Sequence, residues 1–262
     1  MKLSISNIAW HGEQDEAVYE LMKQYGFIGL EIAPTRWFAQ NPYEHIQEAR
    51  KEYEYLNQKY GLQISSMQSI WYGKSENIWN NEEDREKLER YTKEAVDFAE
   101  SIGCRNLVFG CPKNRNMPEG VRESEVFSFF RNLGSYAEAH NTVVAMEANP
   151  PIYHTNYINR TDEAIALIKK IDSSGFRLNL DIGTMIENGE GIEVLKGNWT
   201  LVNHVHVSEP FLAPIQKRLL HRELAHEMRQ NGYSGFVSVE MGSQSSMEQI
   251  KEAMAYVAEV FG

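Results

Sequence analysis

Cysteine is scarce: Cys104 and Cys111 are the only two in 262 residues. They stand seven positions apart, which is neither a CxxC spacing nor a disulfide framework, so both are expected as reduced thiols with packing roles. No run of about eighteen apolar residues occurs, and Met1-Lys2-Leu3-Ser4-Ile5-Ser6 has too short an apolar stretch for a signal peptide. The expectation is a soluble, cytoplasmic protein with no membrane contact. Positive charge is also in deficit, 26 Lys plus Arg against 37 Asp plus Glu, for a formal charge of -11. That sign repels a phosphate backbone, so nucleic acid is excluded as the expected partner. No Pro/Ser-rich linker or low-complexity stretch divides the chain, and a single domain over 1–262 is expected. Near the C-terminus no glycine-rich loop opens a helix to cradle a phosphate, so nothing in the sequence demands a phosphorylated substrate.

What the chain does have is repetition. Eight short runs rich in apolar and β-branched residues can be marked, at Leu3 to Ile8, Phe27 to Ile32, Leu62 to Met67, Asn106 to Phe109, Thr142 to Glu147, Phe176 to Asp181, Val202 to Val207 and Phe236 to Glu240. Between them lie longer segments of helical period with charged faces. Asn41-Pro42, Asn81 before Glu82-Glu83-Asp84, and Ser246 with Gln249 read as helix N-caps. Gly26, Gly61, Gly103, Gly175 and Gly232 each stand just before a strand-like run, where a helix C-cap belongs. Strand and helix alternate throughout, which predicts one α/β domain, a (β/α)8 TIM barrel whose strand C-terminal ends form the active face.

Four of the later runs end on a metal-ligand residue type: VVAME on Glu147, FRLNLD on Asp181, LVNHVH on His206 and FVSVE on Glu240. Their separations of 34, 25 and 34 positions each match about one strand, one helix and two loops. Any one acidic residue in such a place is most often a solvated loop residue or a helix N-cap. Four in register converge on one rim instead and make a single divalent-metal site. His204 and His206 point the same way because side chains alternate along a strand. His206 lies nearer the active end and is the expected ligand, with His204 a deeper, hydrogen-bonded partner. Three carboxylates and one imidazole form a hard donor set suited first to Mn2+, with Mg2+, Co2+ or Zn2+ as the other candidates, and leave about two positions on an octahedral ion for water or substrate.

Other rim positions are candidates for holding a substrate. Trp10, Trp71 and Tyr72 offer an apolar wall for a sugar ring or carbon chain, although large aromatics are more often plain core. Glu31, Gln68 and Glu209 also end or follow strand-like runs. Lys113 and Arg115 are placed to meet an anionic group, against the commoner reading of solvated loop cations. Asn149, with Tyr153, His154 and Asn156, forms a polar cluster after Glu147 that either binds hydroxyls or caps turns.

These residues resemble a family. Glu147, Asp181, His206 and Glu240, each closing a late strand, look like the metal site of the xylose isomerase-like TIM barrels, in the sugar phosphate isomerase/epimerase branch. The resemblance spans essentially the whole chain and is strongest from Val143 to Met241. It implies a metal-dependent isomerase or epimerase acting on a sugar, keto-sugar or sugar phosphate through proton abstraction beside a carbonyl and an enediolate. In that scheme Glu147 and Glu240 are the acid/base pair as well as ligands, while Asp181 and His206 mainly hold the ion. It also implies a small-molecule carbohydrate substrate and a homodimer. Three positions depart from the ketose 3-epimerase pattern. Thr184 stands where a histidine is usual, Glu209-Pro210-Phe211 where an arginine follows the metal histidine, and Asn149-Pro150-Pro151-Ile152 in place of Asn-Arg-x-Glu. Two other chemistries share parts of the pattern: a dehydratase or lyase on an inosose or keto-sugar, and, more remotely, an apurinic-site endonuclease-like hydrolase, which needs further metal ligands and a basic surface.

Overall fold

A computed structural model describes residues 1–243 and 246–262. Its eight strands are β1 (Lys2–Ser6), β2 (Phe27–Ile32), β3 (Gln63–Met67), β4 (Leu107–Phe109), β5 (Val144–Glu147), β6 (Phe176–Asp181), β7 (Val202–Val207) and β8 (Phe236–Val239). All pair in parallel with their sequence neighbours, and β8 pairs with β1 to close the barrel. The first four helices are α1 (Asp15–Gln24), the single turn α2 (Pro34–Trp37), α3 (Ile46–Tyr60) and α4 (Glu82–Ser101). They are followed by α5 (Phe127–Ala139), α6 (Thr161–Ile171), the short α7 (Ile182–Asn188), α8 (Leu219–Gln230) and α9 (Met247–Phe261). The expected (β/α)8 barrel is the observed fold.

Strand alternation divides the barrel into two environments. Leu3 and Ile5 of β1, Val205 and Val207 of β7, and Val237 and Val239 of β8 are buried in the apolar core beneath the helices. The intervening positions carry Ser4, His204, His206 and Ser238, all buried as well. Ser4 bonds across the lumen to Ser65 of β3 at 2.6 Å, and Asn106 donates to Ser66 at 2.9 Å. Apolar branched side chains usually fill such a lumen. Here it is polar and internally hydrogen-bonded, and that prepares the ground for charge at its upper end.

The capping signals are met in part. The Asn81 side chain accepts the Asp84 N–H at 2.8 Å and starts α4, and Ser246 Oγ accepts the Gln249 N–H at 3.3 Å at the start of α9. Asn41 is not a cap: its φ of 45° is left-handed, its side chain makes no cap bond, and Pro42 opens only one 3-10 turn. Nor is Gly175 a C-cap, because Asp172 at φ 51° closes α6. Glycine is needed at 175 for closeness: an added Cβ would overlap the Gly134 carbonyl oxygen and come 2.7 Å from the Glu138 nitrogen on α5. No helix among the described residues is long and apolar enough to cross a membrane. Gly175→Ala is therefore expected to cost about 1–3 kcal/mol through overpacking of α5 against β6. Urea unfolding reads this as a lower midpoint at unchanged slope, and an unchanged midpoint would contradict the packing assigned here.

Candidate metal centre

Glu147 is the last residue of β5, Asp181 the last of β6, His206 the penultimate residue of β7, and Glu240 follows β8 directly. Each offers a ligand atom within 4.8 Å of all the others. His206 Nδ1 lies 3.0 Å from Glu147 Oε1 and 3.1 Å from Glu240 Oε2. His206 is fully buried, and Glu147 and Glu240 are less than a tenth exposed. Carboxylates brought this close repel strongly when water is scarce, so the donor set, its convergence and its burial all fit one divalent ion.

A ring of second partners orients the four. His206 Nε2 faces Glu31 Oε2 at 2.8 Å, so the imidazole presents Nδ1 to the carboxylates and is held from behind by a buried acid. His204 Nε2 lies 3.3 Å from the same Glu31 oxygen, one layer deeper as expected, but it makes no hydrogen bond there, so the hydrogen-bonded role expected of it is not seen at that nitrogen. Asn179 donates to Glu147 Oε1 at 2.7 Å and Asn149 to Glu147 Oε2 at 3.1 Å, which fixes the plane of that carboxylate. Asn149 is itself held by Arg115, which donates to its Oδ1 at 2.7 Å and to the Glu147 carbonyl at 3.1 Å. Asp181 doubles as the N-cap of α7, accepting from the Thr184 N–H at 2.7 Å and hydroxyl at 2.8 Å, while Ser208 binds its other oxygen. N-cap and metal-ligand readings of Asp181 thus hold together geometrically. Thr184 serves that cap.

Above the four lies a cavity of about 180 Å³, lined in part by Glu147, Asp181 and Glu240. It is smaller than the ~300–1,000 Å³ of drug-sized pockets, which restricts it to a small molecule. Of the substrate-facing candidates, Gln68, Asn149 and Glu209 line it, as does Tyr153. Glu31 does not, because it sits beneath His206 with no exposed surface. Trp10 is buried 5.9 Å from the Arg36 guanidinium, its indole donating to Asp15 at 2.7 Å. Trp71 is packed edge-on against Phe109, its indole donating to Thr92 at 2.8 Å. Apolar burial wins for both, and neither forms a wall of this cavity. Tyr72 is exposed and lines a neighbouring groove together with Lys113, and Arg115 is sealed inside. The apolar surface comes instead from Val108, Pro112 and Leu212.

Residues 19–260 match the family model described as the xylose isomerase-like TIM barrel. The chain belongs to that family. Comparison with curated proteins by sequence finds no match. Among solved structures, 3-keto-D-glucoside 4-epimerase from E. coli superposes with a TM-score of 0.78 at 20% identity over 99% of both chains. D-psicose 3-epimerase from Clostridium cellulolyticum gives a TM-score of 0.78 at 15% identity, covering 100% of this chain and 99% of that one. The probable 3-DHS dehydratase AsbF from Bacillus anthracis gives 0.69 at 17% identity over 97% of both. At such identities the likeness is one of fold.

In this xylose isomerase-like barrel, crowding of acids and burial set the protonation of the site's own side chains. Burial raises the Asp181 carboxyl, with Glu147 adding to it, and burial pushes Glu240 up to about 7 against the opposing pull of His206. Burial would lower His206, but Glu240, Glu31 and Glu147 outweigh it and raise that imidazole well above its ordinary value. A metal ion entering the site displaces these protons. By the same physics burial pushes the Cys104 and Cys111 thiols up to about 12, which keeps both protonated at neutral pH.

Sequence reasoning missed Asn179, Ser208 and the Arg115–Asn149 relay. Asn179 was the accessible one, because it lies two positions before Asp181 and shares its face of the strand. Glu31→Gln should weaken Mn2+ binding about 10–100-fold in calorimetric titration, as loss of a ligand-orienting carboxylate does. Unchanged affinity would mean that the Glu31–His206 contact does nothing for the ion.

Proposed function

We propose that the protein is a divalent-metal-dependent isomerase or epimerase that moves a proton beside the carbonyl of a keto-sugar or related polyol. The observation that carries this reading is a pair of carboxylates, Glu147 and Glu240, opening into one small cavity beside a histidine and an aspartate able to share an ion with them. A binding protein has no need of two bases at one centre.

Taking a proton from carbon next to a carbonyl places negative charge on oxygen. A divalent ion held by Glu147, Asp181, His206 and Glu240 supplies, when bound, the electrostatic stabilisation of that charge. The protein's own groups do the rest. Glu147, held in plane by Asn149 and Asn179, exchanges a proton at one face of the reacting carbon. Glu240, entering from the far side of β7, does so at the other. Two bases on opposite faces invert a stereocentre, whereas one base shuttling between adjacent carbons gives aldose–ketose exchange. Gln68, Ser208 and Tyr153 stand along the walls as partners for hydroxyls, and Leu212 and Val108 pack the carbon skeleton and exclude water.

A dehydratase would begin with the same abstraction and then expel a β-hydroxyl, and the product separates the two readings. With Mn2+ in deuterium oxide, isomerase or epimerase chemistry predicts solvent deuterium in a product otherwise of unchanged composition, whereas dehydration predicts loss of water. On a substrate so identified, Glu240→Gln and Glu147→Gln should each lower kcat by about 10²–10⁴-fold, the usual worth of a positioned acid or base. Full turnover in either variant would remove that residue from the chemistry.

A further inference from the structure

Resting on the carbonyl-polyol reading above, we infer that the cavity selects an uncharged substrate over its phosphorylated or carboxylated counterpart, and that Glu209 sets this choice by keeping Arg218 out of the binding space. Four lining side chains are acids: Glu147, Asp181, Glu209 and Glu240. None of the described lining residues is basic, and positions 244 and 245, beyond the described residues, are Gln and Ser. One dication against Glu147, Asp181 and Glu240 leaves a negative charge uncompensated.

The cations that approach the cavity are committed elsewhere. Arg115 has no exposed surface and spends its guanidinium on the carbonyls of Glu147 and Ile158 and on Asn149. Lys113 is exposed on the neighbouring groove beside Tyr72. The segment that roofs the site carries two long cations, Lys217 and Arg218; Lys217 turns to a different groove, its Nζ 5.9 Å from the centre of the Tyr256 ring, and Glu209 captures Arg218. Its Nε–H donates to both carboxylate oxygens, at 2.7 and 3.0 Å, and a terminal N–H reaches the second oxygen as well. Glu209 is almost wholly buried and also accepts the Gln216 N–H at 3.1 Å, so the pair is built into the strap rather than resting on the surface. The pair neutralises itself and leaves no positive charge for an anion. An incoming phosphate dianion would meet acids and a metal already over-compensated by them, and like charge placed opposite like charge is costly.

The test uses the metal-loaded full chain with matched pairs: D-fructose and D-fructose 6-phosphate, D-ribulose and D-ribulose 5-phosphate, 3-keto-D-glucose and its 6-phosphate. Binding is read by saturation-transfer NMR on the Mg2+ form and turnover by solvent deuterium exchange on the Mn2+ form. The neutral member of at least one pair should bind, and should bind or react better than its phosphate by about tenfold or more. Glu209→Gln frees the Arg218 guanidinium and should narrow that ratio by about tenfold. A phosphate that binds or reacts better than its neutral partner overturns the inference, as does binding by neither class. An unchanged ratio in Glu209→Gln removes Glu209 from its role. Preferential binding of a neutral sugar without exchange supports the inference while contradicting the proton-transfer reading.

Discussion

Like charges repel most where water is scarce, and the upper end of this barrel holds three carboxylates around one buried imidazole. Ionised groups in such a place cost several kcal/mol each unless partners meet them. The structure meets them with directed donors: Asn149 and Asn179 on Glu147, Thr184 and Ser208 on Asp181, and His206 on Glu147 and Glu240. Glu31 adds a fourth acid below and turns the imidazole so that Nδ1 faces upward. Arg115 stands behind Asn149, and burial lowers its own pKa to about 10. Four donors converging within 4.8 Å of one another are consistent with a site for one divalent ion.

The polar lumen and the roof follow from the same need. Ser4 with Ser65, and Asn106 with Ser66 and Asn179, place hydrogen-bonding groups along the barrel axis, and Gln68 donates to Glu31 at 3.4 Å, so the buried acid stands over a polar rather than an apolar interior. Over the mouth, the segment after β7 takes two consecutive left-handed residues, Phe211 at φ 60° and Leu212 at φ 53°. Non-glycine residues in that region cost about 1–3 kcal/mol each and persist only when their surroundings hold them. Here the Phe211 N–H donates to Tyr153 at 2.8 Å, the Leu212 carbonyl accepts from Gly242 at 2.8 Å, and Glu209 ties the far end to Arg218. The result brings Leu212 into the cavity wall, so backbone strain in the strap is what provides an apolar contact beside a charged floor.

Much of this was legible along the chain, and the reasons are local. A strand of period two that ends on an acid announces both its face and its direction, so β5 to β8 and the convergence of Glu147, Asp181, His206 and Glu240 could be read from spacing. The N-cap at Asn81 could be read because capping is settled within four residues. What could not be read depends on partners distant in sequence. Trp10 and Trp71 look like rim aromatics until Asp15 and Thr92 claim their indoles. Arg115 looks like a loop cation until Met146, Asn149 and Ile158 close around it. Gly175 resembles its four fellow stops, and only the path of α5 reveals that it serves a close approach. Glu209 and Arg218 stand nine positions apart across an irregular strap, where no periodicity links them.

The central claim is one divalent ion shared by four strand-end side chains. Anomalous diffraction at the manganese edge, from crystals grown with Mn2+, tests it most directly. The account predicts a single strong peak bounded by Glu147, Asp181, Glu240 and Nδ1 of His206, at the oxygen and nitrogen distances of about 2.0–2.3 Å usual for such ions. No peak there, or a peak held by Glu31 and His204 instead, would contradict it.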